Sequence, residues 1–435
     1  MNLLLSSFSL SILIFFISIF STKEALALPL MNEFAILQGA TSQTETQIAV
    51  LRYRESSLNY FYSSENNKKV KINTVITKSR VFSNWVIDHL YIKKLSSNSN
   101  YSLFIETVSG IRLDTREFST LNLNKQSMKI AIASCMSDAF LLHQKRIWTN
   151  LVNEKPDLIF FVGDNVYASI QDPVTPDQIW NRYVQTRSLL EIFYSKKLIP
   201  IFATWDDHDF GQNDGDKTYK YVKDAKVIFE DFFPRDVIPG LLEKGEGVGQ
   251  LLTLNNQNFI FMDDRTFRDK PQGKSMWGMN QEEWLKNVLL KSNNKEKNIF
   301  KNWIINGSQI FGKYGPSESL EKDFPQHFNR LNLLLKSIYT PTLFISGDIH
   351  ASELIYISND FFNQKTIEIT SSSMHSIHHP KGSLLSNPRR LAGYDGDNFV
   401  LIEFDPQLNN SPLQIKSINS FNEVTFTSLF TIELL

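Results

Sequence analysis

The stretch Leu343-Phe-Ile-Ser-Gly-Asp-Ile-His-Ala-Ser-Glu-Leu354 decides the fold. Its apolar run ends in Gly-Asp-x-His, which is typical of a buried strand that carries a carboxylate and an imidazole to the edge of a sheet. Two earlier stretches have the same design, Leu158-Ile-Phe-Phe-Val-Gly-Asp164-Asn-Val-Tyr167 and Ile199-Pro-Ile-Phe-Ala-Thr-Trp-Asp206-Asp207-His208-Asp209. Three strands that each end in metal-ligand residue types predict a multinuclear metal site.

The sequence around these stretches has the pattern of an α/β domain. From Lys129 onward, short apolar runs alternate with longer amphipathic stretches, as strands buried on both faces and their covering helices do. We assign this domain to residues 128–435 and predict helices at 139–153 and 176–194. The glycine-rich segment 240–250 follows no strand and lacks Lys-Ser/Thr, so we interpret it as a loop and not as a phosphate cradle.

The preceding residues, 30–122, have the sequence pattern of an all-β domain. Short alternating runs, separated by clusters of Asn, Ser and Lys, predict a small β-sandwich. These runs are Val50–Arg54, Val70–Ile76, Trp85–Ile92 and Tyr101–Val108.

The N-terminus has the features of a transport signal. Leu3 to Phe20 is almost wholly apolar, and Ala25-Leu-Ala27 gives an A-x-A cleavage pattern. We predict a signal peptide at 1–27 and export to the periplasm, the cell surface or the medium. The alternative is an uncleaved anchor, because the apolar run is close to the shortest length that spans a bilayer. That segment is the one membrane contact that we expect.

Composition excludes some classes of protein. Of 435 residues, 42% are hydrophobic and 12% are aromatic, which is enough for a large core. The formal net charge is −1, from 45 basic and 46 acidic residues, so no nucleic-acid partner is indicated. Cys135 is the single cysteine, and the fold therefore has no intrachain disulfide.

Three candidate ligands follow the first two strands of the α/β domain. Asp164 can bridge two cations, although an Asp after a strand can also cap the next helix. The Tyr167 phenolate would suit trivalent iron, although an ordinary half-buried tyrosine is the alternative. Cys135 closes its strand and offers a thiolate, whereas the alternative is a small buried hydrophobic residue.

The densest group of titratable residues is Asp206-Asp207-His208-Asp209. Three carboxylates around one imidazole repel one another unless a cation compensates them. One aspartate would then be a ligand, and another would orient His208 as a proton donor. The alternative is a solvated polar turn. Asn213 lies in the same loop, and its amide oxygen suits a calcium-like ion.

Two further strand ends carry candidate residues. Asp348 offers a hard oxygen and His350 a borderline nitrogen, a mixture that suits two unlike metals. Arg265 could hold a phosphate with both arms of its guanidinium group or pair with neighbouring carboxylates. His375 follows an apolar strand and is a candidate substrate-binding residue, although it and His378 and His379 could equally form a solvated loop.

The ordered set of motifs resembles the PhoD-like family of alkaline phosphatases and phosphodiesterases, within the metallophosphoesterase superfamily. The motifs are the Ser-Cys135 strand end, Gly-Asp164-x-x-Tyr167, Trp-Asp-Asp207-His-Asp-Phe-Gly, Gln281-Glu-Glu-Trp284, Gly307-Ser-Gln309, Ser-Gly-Asp348-x-His350 and Asn387-Pro-Arg-Arg390. The resemblance implies a four-layer α/β sandwich with two central mixed sheets, preceded by a small fibronectin-like β domain.

The same resemblance implies an iron-plus-calcium centre, with other divalent cations as alternatives. Residues matching the iron side are Cys135, Asp164, Tyr167 and His350, and those matching the calcium side are Asp164, Asp207, Asp348 and, less closely, Asn213. His208 matches the histidine of the superfamily's Asn-His-Asp/Glu motif. Asp207 replaces the usual asparagine, and Asp348 replaces the first histidine of Gly-His-x-His. Both changes favour hard oxygen ligands.

We therefore expect a hydrolase that acts on phosphoric monoesters or diesters through a metal-activated hydroxide. His208, Asp206 and Asp209 are its candidate catalytic residues, and Asn213, Arg265 and His375 its candidate substrate-binding residues. The alternatives are a phospholipase-type phosphodiesterase with a narrow lipid substrate and an exported binding protein without activity. A serine esterase using Ser373 and His375 is a further rival, but the chain has no Gly-x-Ser-x-Gly.

Overall fold

A computed structural model of the chain describes residues 34–64, 68–139, 141–168, 174–294, 298–315, 317–359, 361, 364–377 and 386–432. The predicted signal peptide, 1–27, and His378 and His379 lie outside these residues. The described residues, from Phe34 onward, belong to one compact unit. Within the described ranges, no helix combines the length and the apolar character needed to cross a membrane.

The first described part of the chain is a sandwich of two antiparallel sheets with four strands each. One sheet has the order β1-β2-β6-β5 and the other the order β4-β3-β7-β8. The strands are β1 (Ala35–Thr41), β2 (Glu45–Tyr53), β3 (Leu58–Ser64), β4 (Val70–Lys71), β5 (Val75–Ser79), β6 (Trp85–Lys93), β7 (Asn100–Thr107) and β8 (Arg112–Ser119). Apolar side chains such as Ile48, Leu90 and Leu103 fill the space between the sheets.

The outer face of the first sheet is also buried. Successive residues of a strand point to opposite faces, so Val50 enters the sandwich core while Leu51 enters the core of the α/β part. The side chains of Ala49 and Ile87 also enter the core of the α/β part. Because both faces of this sheet are covered, consecutive residues in the middle of β2 and of β6 are all buried.

A six-stranded mixed sheet follows, with the order β11-β10-β9-β20-β21-β22. Its strands are β9 (Met128–Ala133), β10 (Leu158–Val162), β11 (Ile201–Thr204), β20 (Asn398–Phe404), β21 (Leu413–Asn419) and β22 (Val424–Phe430). β9, β10 and β11 are parallel neighbours, so their carboxyl ends meet at one edge of the sheet. β20 pairs with β9 in the antiparallel direction.

An eight-stranded mixed sheet has the order β12-β13-β14-β15-β16-β18-β17-β19. Its strands are β12 (Leu242–Lys244), β13 (Gln250–Leu254), β14 (Gln257–Phe261), β15 (Lys301–Ile305), β16 (Thr342–Ser346), β17 (Ser352–Ile357), β18 (Thr366–Thr370) and β19 (Arg390–Tyr394). The central strands β14, β15, β16 and β18 are parallel. The segment 240–250, which we interpreted as a loop, thus contains the short edge strand β12.

The described helices lie between these strands along the chain. They are α1 (Leu141–Asn153), α2 (Pro176–Leu189), α3 (Asp207–Phe210), α4 (Val222–Phe232), α5 (Met279–Ser292), α6 (Leu320–Asp323) and α7 (Pro325–Leu335), with one 3-10 helix at Glu191–Tyr194. α2 begins where its sequence dictates, because Thr175 and Gln178 form a capping box and Pro176 occupies the first turn. The helix predicted at 176–194 is therefore a helix followed by a 3-10 turn.

Three apolar cores hold the two mixed sheets and their helices together. Phe160 of β10 packs on Phe259 and Phe261 of β14, with ring centroids 5.2 and 5.1 Å apart, so the sheets face each other directly. The opposite face of the six-stranded sheet is covered by α1, α2 and α4, and that of the eight-stranded sheet by α5 and α7. This order of helices, sheet, sheet and helices confirms the predicted four-layer sandwich with a β region before it.

Candidate metal centre

The candidate ligands lie just beyond the carboxyl ends of strands from both mixed sheets. Cys135, Asp164 and Asp207 follow β9, β10 and β11 of the six-stranded sheet. Asp348 and His350 follow β16 of the eight-stranded sheet. Because the two sheets face each other, their ends deliver these side chains to a common cleft, which is where α/β sheets generally place functional groups.

The backbone turns sharply at four of these positions. Cys135, Asp164, Asp348 and His350 have φ angles of 55°, 52°, 73° and 53°. Side chains other than glycine seldom adopt this left-handed region, and each instance costs about 1–3 kcal/mol. Strain of this kind at four candidate ligands indicates that the fold holds them in place for a function.

Two glycines let the strand ends approach closely. A Cβ atom on Gly347 would lie 2.5 Å from the Val162 carbonyl oxygen and 2.7 Å from Oγ of Ser134. Gly163 has φ +89°, and a Cβ there would lie 2.7 Å from Cβ of Asp206. The glycines before Asp164 and Asp348 are thus required by space, and Gly163 is required by its backbone conformation as well.

The first group of candidate ligands contains Cys135, Asp164 and His350. One ligand atom from each lies within 4.8 Å of the other two. The phenol oxygen of Tyr167 lies 3.0 Å from Nε2 of His350. The side chains predicted from the iron-side motifs are therefore neighbours in space.

The second group contains Asp164, Asp207 and His208, whose ligand atoms also lie within 4.8 Å of one another. Asp164 belongs to both groups. The Asp207 carboxylate accepts the backbone N–H of His208 and that of Asp214, each at 2.8 Å. The ring of His208 stacks 4.3 Å from that of Tyr167, between centroids.

Neighbouring buried carboxyl groups give the cleft an excess of negative charge. Burial and the charges of Asp207, Asp209 and Asp348 raise the pKa of Asp164 well above its usual range. Burial and then the charge of Asp164 raise the pKa of the Cys135 thiol. Burial also opposes ionisation of Asp207, but the charges of His208 and Arg265 and the Asp214 N–H outweigh it and lower its pKa.

These groups fit a cation site. Among the described residues, Oδ1 of Asp164 and Oδ2 of Asp348 are buried and have no hydrogen-bond partner. Buried carboxylate oxygens normally have one, and a cation would satisfy both the oxygens and the excess charge. Asn213, the remaining candidate calcium ligand, is half-buried beside Asp214.

Asp206 and Asp209 direct their carboxylates away from the two ligand groups. Asp206 forms an ion pair with Arg265. Asp209 accepts the backbone N–H groups of Asn165 and Asp206 at 3.1 Å and that of Val166 at 3.2 Å. Catalysis by Asp206 and Asp209 stays a prediction, and these contacts favour a role in positioning the loops that carry Asp164 and Asp207.

Two predicted substrate-binding residues, Arg265 and His375, form their contacts with other parts of the protein. Arg265 is 0% exposed and contacts Glu318 as well as Asp206. His375 is also 0% exposed, with Nδ1 2.9 Å from the Ser137 carbonyl oxygen and Nε2 3.1 Å from Nε1 of Trp148. A direct contact of His375 with substrate stays a prediction that its surroundings do not favour.

Two serines at the site were not predicted individually. Oγ of Ser372 lies 3.0 Å from Sγ of Cys135 and accepts the backbone N–H of His350 at 2.8 Å. Oγ of Ser376 lies 3.0 Å from the Tyr167 hydroxyl. The run Thr370-Ser-Ser-Ser373, which begins at the last residue of β18, is the sequence signal that indicates such a role for Ser372.

Known proteins resemble this chain in sequence and in fold. Residues 128–352, just over half of the chain, match the model of the calcineurin-like phosphoesterase family. Alkaline phosphatase D of Bacillus subtilis (strain 168) is 23% identical over 285 residues, which cover 55% of this chain and 48% of that protein. The chain thus matches about half the length of this curated relative.

A solved structure, that of PhoD, has the same fold over nearly the whole chain. The superposition covers 93% of this chain and 90% of that one, with a TM-score of 0.68 and 17% sequence identity. The aligned part extends beyond residues 128–352, so the similarity of fold includes more of the chain than the family match does.

Proposed function

Because this chain belongs to the calcineurin-like phosphoesterase family, we propose that it is a metal-dependent hydrolase of phosphate esters. The observation that carries this proposal is the pair of ligand groups that share Asp164 at the strand ends. Two adjoining sites for cations suit in-line displacement at phosphorus, because one can hold the attacking oxygen and the other the leaving oxygen.

The donor types suggest different cations for the two groups. A thiol, a phenol and an imidazole, from Cys135, Tyr167 and His350, would join Asp164 around Fe3+. The oxygens of Asp164, Asp207, Asp348 and Asn213 would hold Ca2+. When bound, such cations would polarise phosphoryl oxygens and acidify water.

His208 is the proposed proton donor. It is 9% exposed, and one of its ring nitrogens lies within 4.8 Å of carboxylate oxygens of Asp164 and Asp207, so a phosphoryl group held at these carboxylates would lie near it. The proton that it would donate is the one on its imidazole ring, which lies beside the Asp207 carboxylate. His208 would give that proton to the leaving alkoxide.

We infer a substrate range of phosphomonoesters, phosphodiesters or both, with a lipid phosphodiester as the narrow alternative. The cleft chemistry suits the phosphoryl group that all of these share. We also propose that the protein is exported, on the strength of the apolar N-terminal stretch and its Ala-Leu-Ala27 pattern. N-terminal sequencing of the mature protein tests the export proposal, with Leu28 as the expected first residue.

The activity is tested with a chromogenic phosphodiester and the matching monoester, each with and without chelator and added calcium. We expect metal-dependent turnover that Asp164→Asn reduces by at least about 100-fold, since this residue belongs to both ligand groups. Asp224→Asn, at an exposed position on α4, is the matched control and should retain full activity.

The ratio of diester to monoester turnover assigns the substrate class. A serine esterase would survive the chelator. Folded protein that contains its metals and yet hydrolyses neither ester would rule out the broad phosphoesterase and favour a narrow substrate or a binding role.

A further inference from the structure

Two arginines lie buried on the loop that follows β14, beside the candidate metal centre. Arg265 is 0% exposed and Arg268 is 1% exposed. A guanidinium group keeps its charge in the protein interior, so it requires acceptors around it. Arg265 has several, including Asp206 and Oγ of Ser308 at 3.1 Å. Arg268 has fewer, and its guanidinium carbon lies 5.0 Å from the ring centre of Phe324.

The Glu318 carboxylate bridges the two arginines. Its Oε2 lies 2.8 Å from Nη1 of Arg265, and its Oε1 lies 2.7 Å from Nη2 of Arg268. Two guanidinium groups that share one anion form a suitable site for phosphate, whose several oxygens can each accept from a different donor. We call Arg265 and Arg268 together the anion seat.

Glu318 fits this anion seat poorly. Among the described residues, neither Nη1 nor Nη2 of Arg268 has a hydrogen-bond partner, and Oε2 of Glu318 also lacks one. The short N···O distances therefore join opposite charges whose N–H bonds are badly aligned. A tetrahedral anion, with oxygens in more directions than a planar carboxylate, would use donors that Glu318 leaves unsatisfied.

The anion seat adjoins the ligand groups through short stretches of chain. Arg265 forms its ion pair with Asp206, the residue before Asp207. Its Nη1 also lies 3.4 Å from the carbonyl oxygen of Gly215, which follows the Asp214 whose N–H binds Asp207. A phosphate in the anion seat would thus lie next to the loop that carries Asp207.

We propose that Arg265 and Arg268 bind a phosphate group and that Glu318 occupies their site until phosphate displaces it. The inference rests on the proposed function and adds a residue that sets the affinity of the site for phosphate. The group bound is either the phosphoryl group of a substrate or inorganic phosphate. Glu318 can move without breaking a strand or helix, because it precedes Ser319, the N-cap of α6, and its side chain is 18% exposed.

Binding of inorganic phosphate to the metal-loaded full chain, measured by calorimetry, tests this proposal. Glu318→Gln keeps the shape of the side chain and removes its charge, so the dissociation constant for phosphate should fall about tenfold. Glu321→Gln is the matched control. Glu321 lies three residues after Glu318 but pairs with Arg389, so its substitution should leave phosphate binding unchanged. Thermal unfolding of each variant checks that it is folded.

A double substitution separates the anion seat from a general change in charge. Arg268→Gln should weaken phosphate binding and should abolish the gain produced by Glu318→Gln. If Glu318→Gln tightens binding equally in both backgrounds, its effect is a long-range one and the anion seat is rejected. Unchanged phosphate binding in folded Glu318→Gln rejects it as well.

A replacement variant and a kinetic measurement complete the test. If Glu318→Gln fails to fold, Glu318→Asp replaces it, because the shorter side chain cannot bridge both arginines and should tighten phosphate binding in the same direction. A parallel fall in KM for the diester identifies the bound group as substrate, whereas a fall in the phosphate inhibition constant alone identifies inorganic phosphate. Tighter binding of phosphate without any turnover would overturn the proposed hydrolysis and leave the anion seat standing.

Discussion

His327 illustrates how burial sets the chemistry of a single side chain. It is 1% exposed, its Nδ1 accepts the backbone N–H of Met276 at 3.2 Å, and its ring lies 4.7 Å from that of Trp277. Burial lowers the pKa of His327 to about 4 from the ordinary 6.5, against the opposing charge of Glu282. The unfolded chain therefore binds a proton more readily than the folded chain between these two values.

This shift predicts a loss of stability in acid. The contribution of neutral His327 is fully present above pH 6.5 and is lost as the pH falls towards 4, with a slope of up to about 1.4 kcal/mol per pH unit. His327→Gln, which can still accept the Met276 N–H, should remove that part of the slope. Urea unfolding of both proteins across this range measures it, and equal slopes would contradict the assignment.

Single residues also mark the limit of what the sequence predicts at the site. The strand-end pattern predicted Cys135, Asp164 and Asp348 as ligands. Each of them does follow a buried strand, and its role as a ligand stays a prediction. Without the family resemblance, the run Asp206–Asp209 does not show which aspartate is a ligand and which orients His208, because successive residues in a helical turn point about 100° apart. Asp207 faces the cleft, whereas Asp209 turns back to cap the loop after β10.

At the scale of elements, the turn that leaves β10 depends on Gly163. Its φ is +89°, and an added Cβ would lie 2.7 Å from Cβ of Asp206 and 3.2 Å from the backbone of Gly307. Gly163→Ala should therefore lower the free energy of unfolding by more than about 2 kcal/mol, since crowding adds to the cost of the left-handed backbone. The displaced strand end should also lower the metal content.

Gly240→Ala is the matched control for this substitution. Gly240 has φ +75° but no atom within 4 Å of an added Cβ, so its replacement measures backbone strain alone. We expect a loss of about 1 kcal/mol and an unchanged metal content. Equal losses at both glycines, measured by chemical unfolding, would show that crowding at the β10 turn is unimportant.

The elements that the sequence predicted well are those buried on both faces. Leu158–Val162 is an unbroken apolar run, and Leu343–Ile345 is the apolar centre of Thr342–Ser346, because a sheet lies on one side of each strand and helices on the other. β1 was not predicted, since Gln38, Gly39 and Thr41 interrupt its apolar residues although every position is buried. Buried polar partners satisfy these side chains, as when Gln38 bonds to Thr41 and Thr46.

At the scale of the whole molecule, the β-sandwich and the α/β part share a core. Leu51 and Ile87, on the outer face of the first sheet, are 2% and 1% exposed and belong to the same core as α2 and α4. The predicted boundary between 30–122 and 128–435 stays a prediction. The shared core indicates that unfolding either part would expose apolar surface on the other.

We therefore expect one unfolding transition for both parts. Amide hydrogens of β2 and β6 should lose protection at the same denaturant concentration as those of β9 and β10, whereas the exposed strand β4 should exchange earlier. Ile87→Ala should lower the midpoint for all four buried strands together. Earlier exchange in β2 and β6 than in β9 and β10 would instead identify the sandwich as an independent domain.

The order of strands along the chain also governs when the cleft can form during synthesis. A ribosome releases Cys135 and Asp164 well before Asp348 and His350, and β9 lacks one of its neighbours until β20 has been made. The nascent chain therefore carries the first candidate ligands before the rest of the proposed site exists. If the predicted export takes place before the chain folds, then the compartment of arrival and not the cytoplasm supplies the cations of the proposed centre.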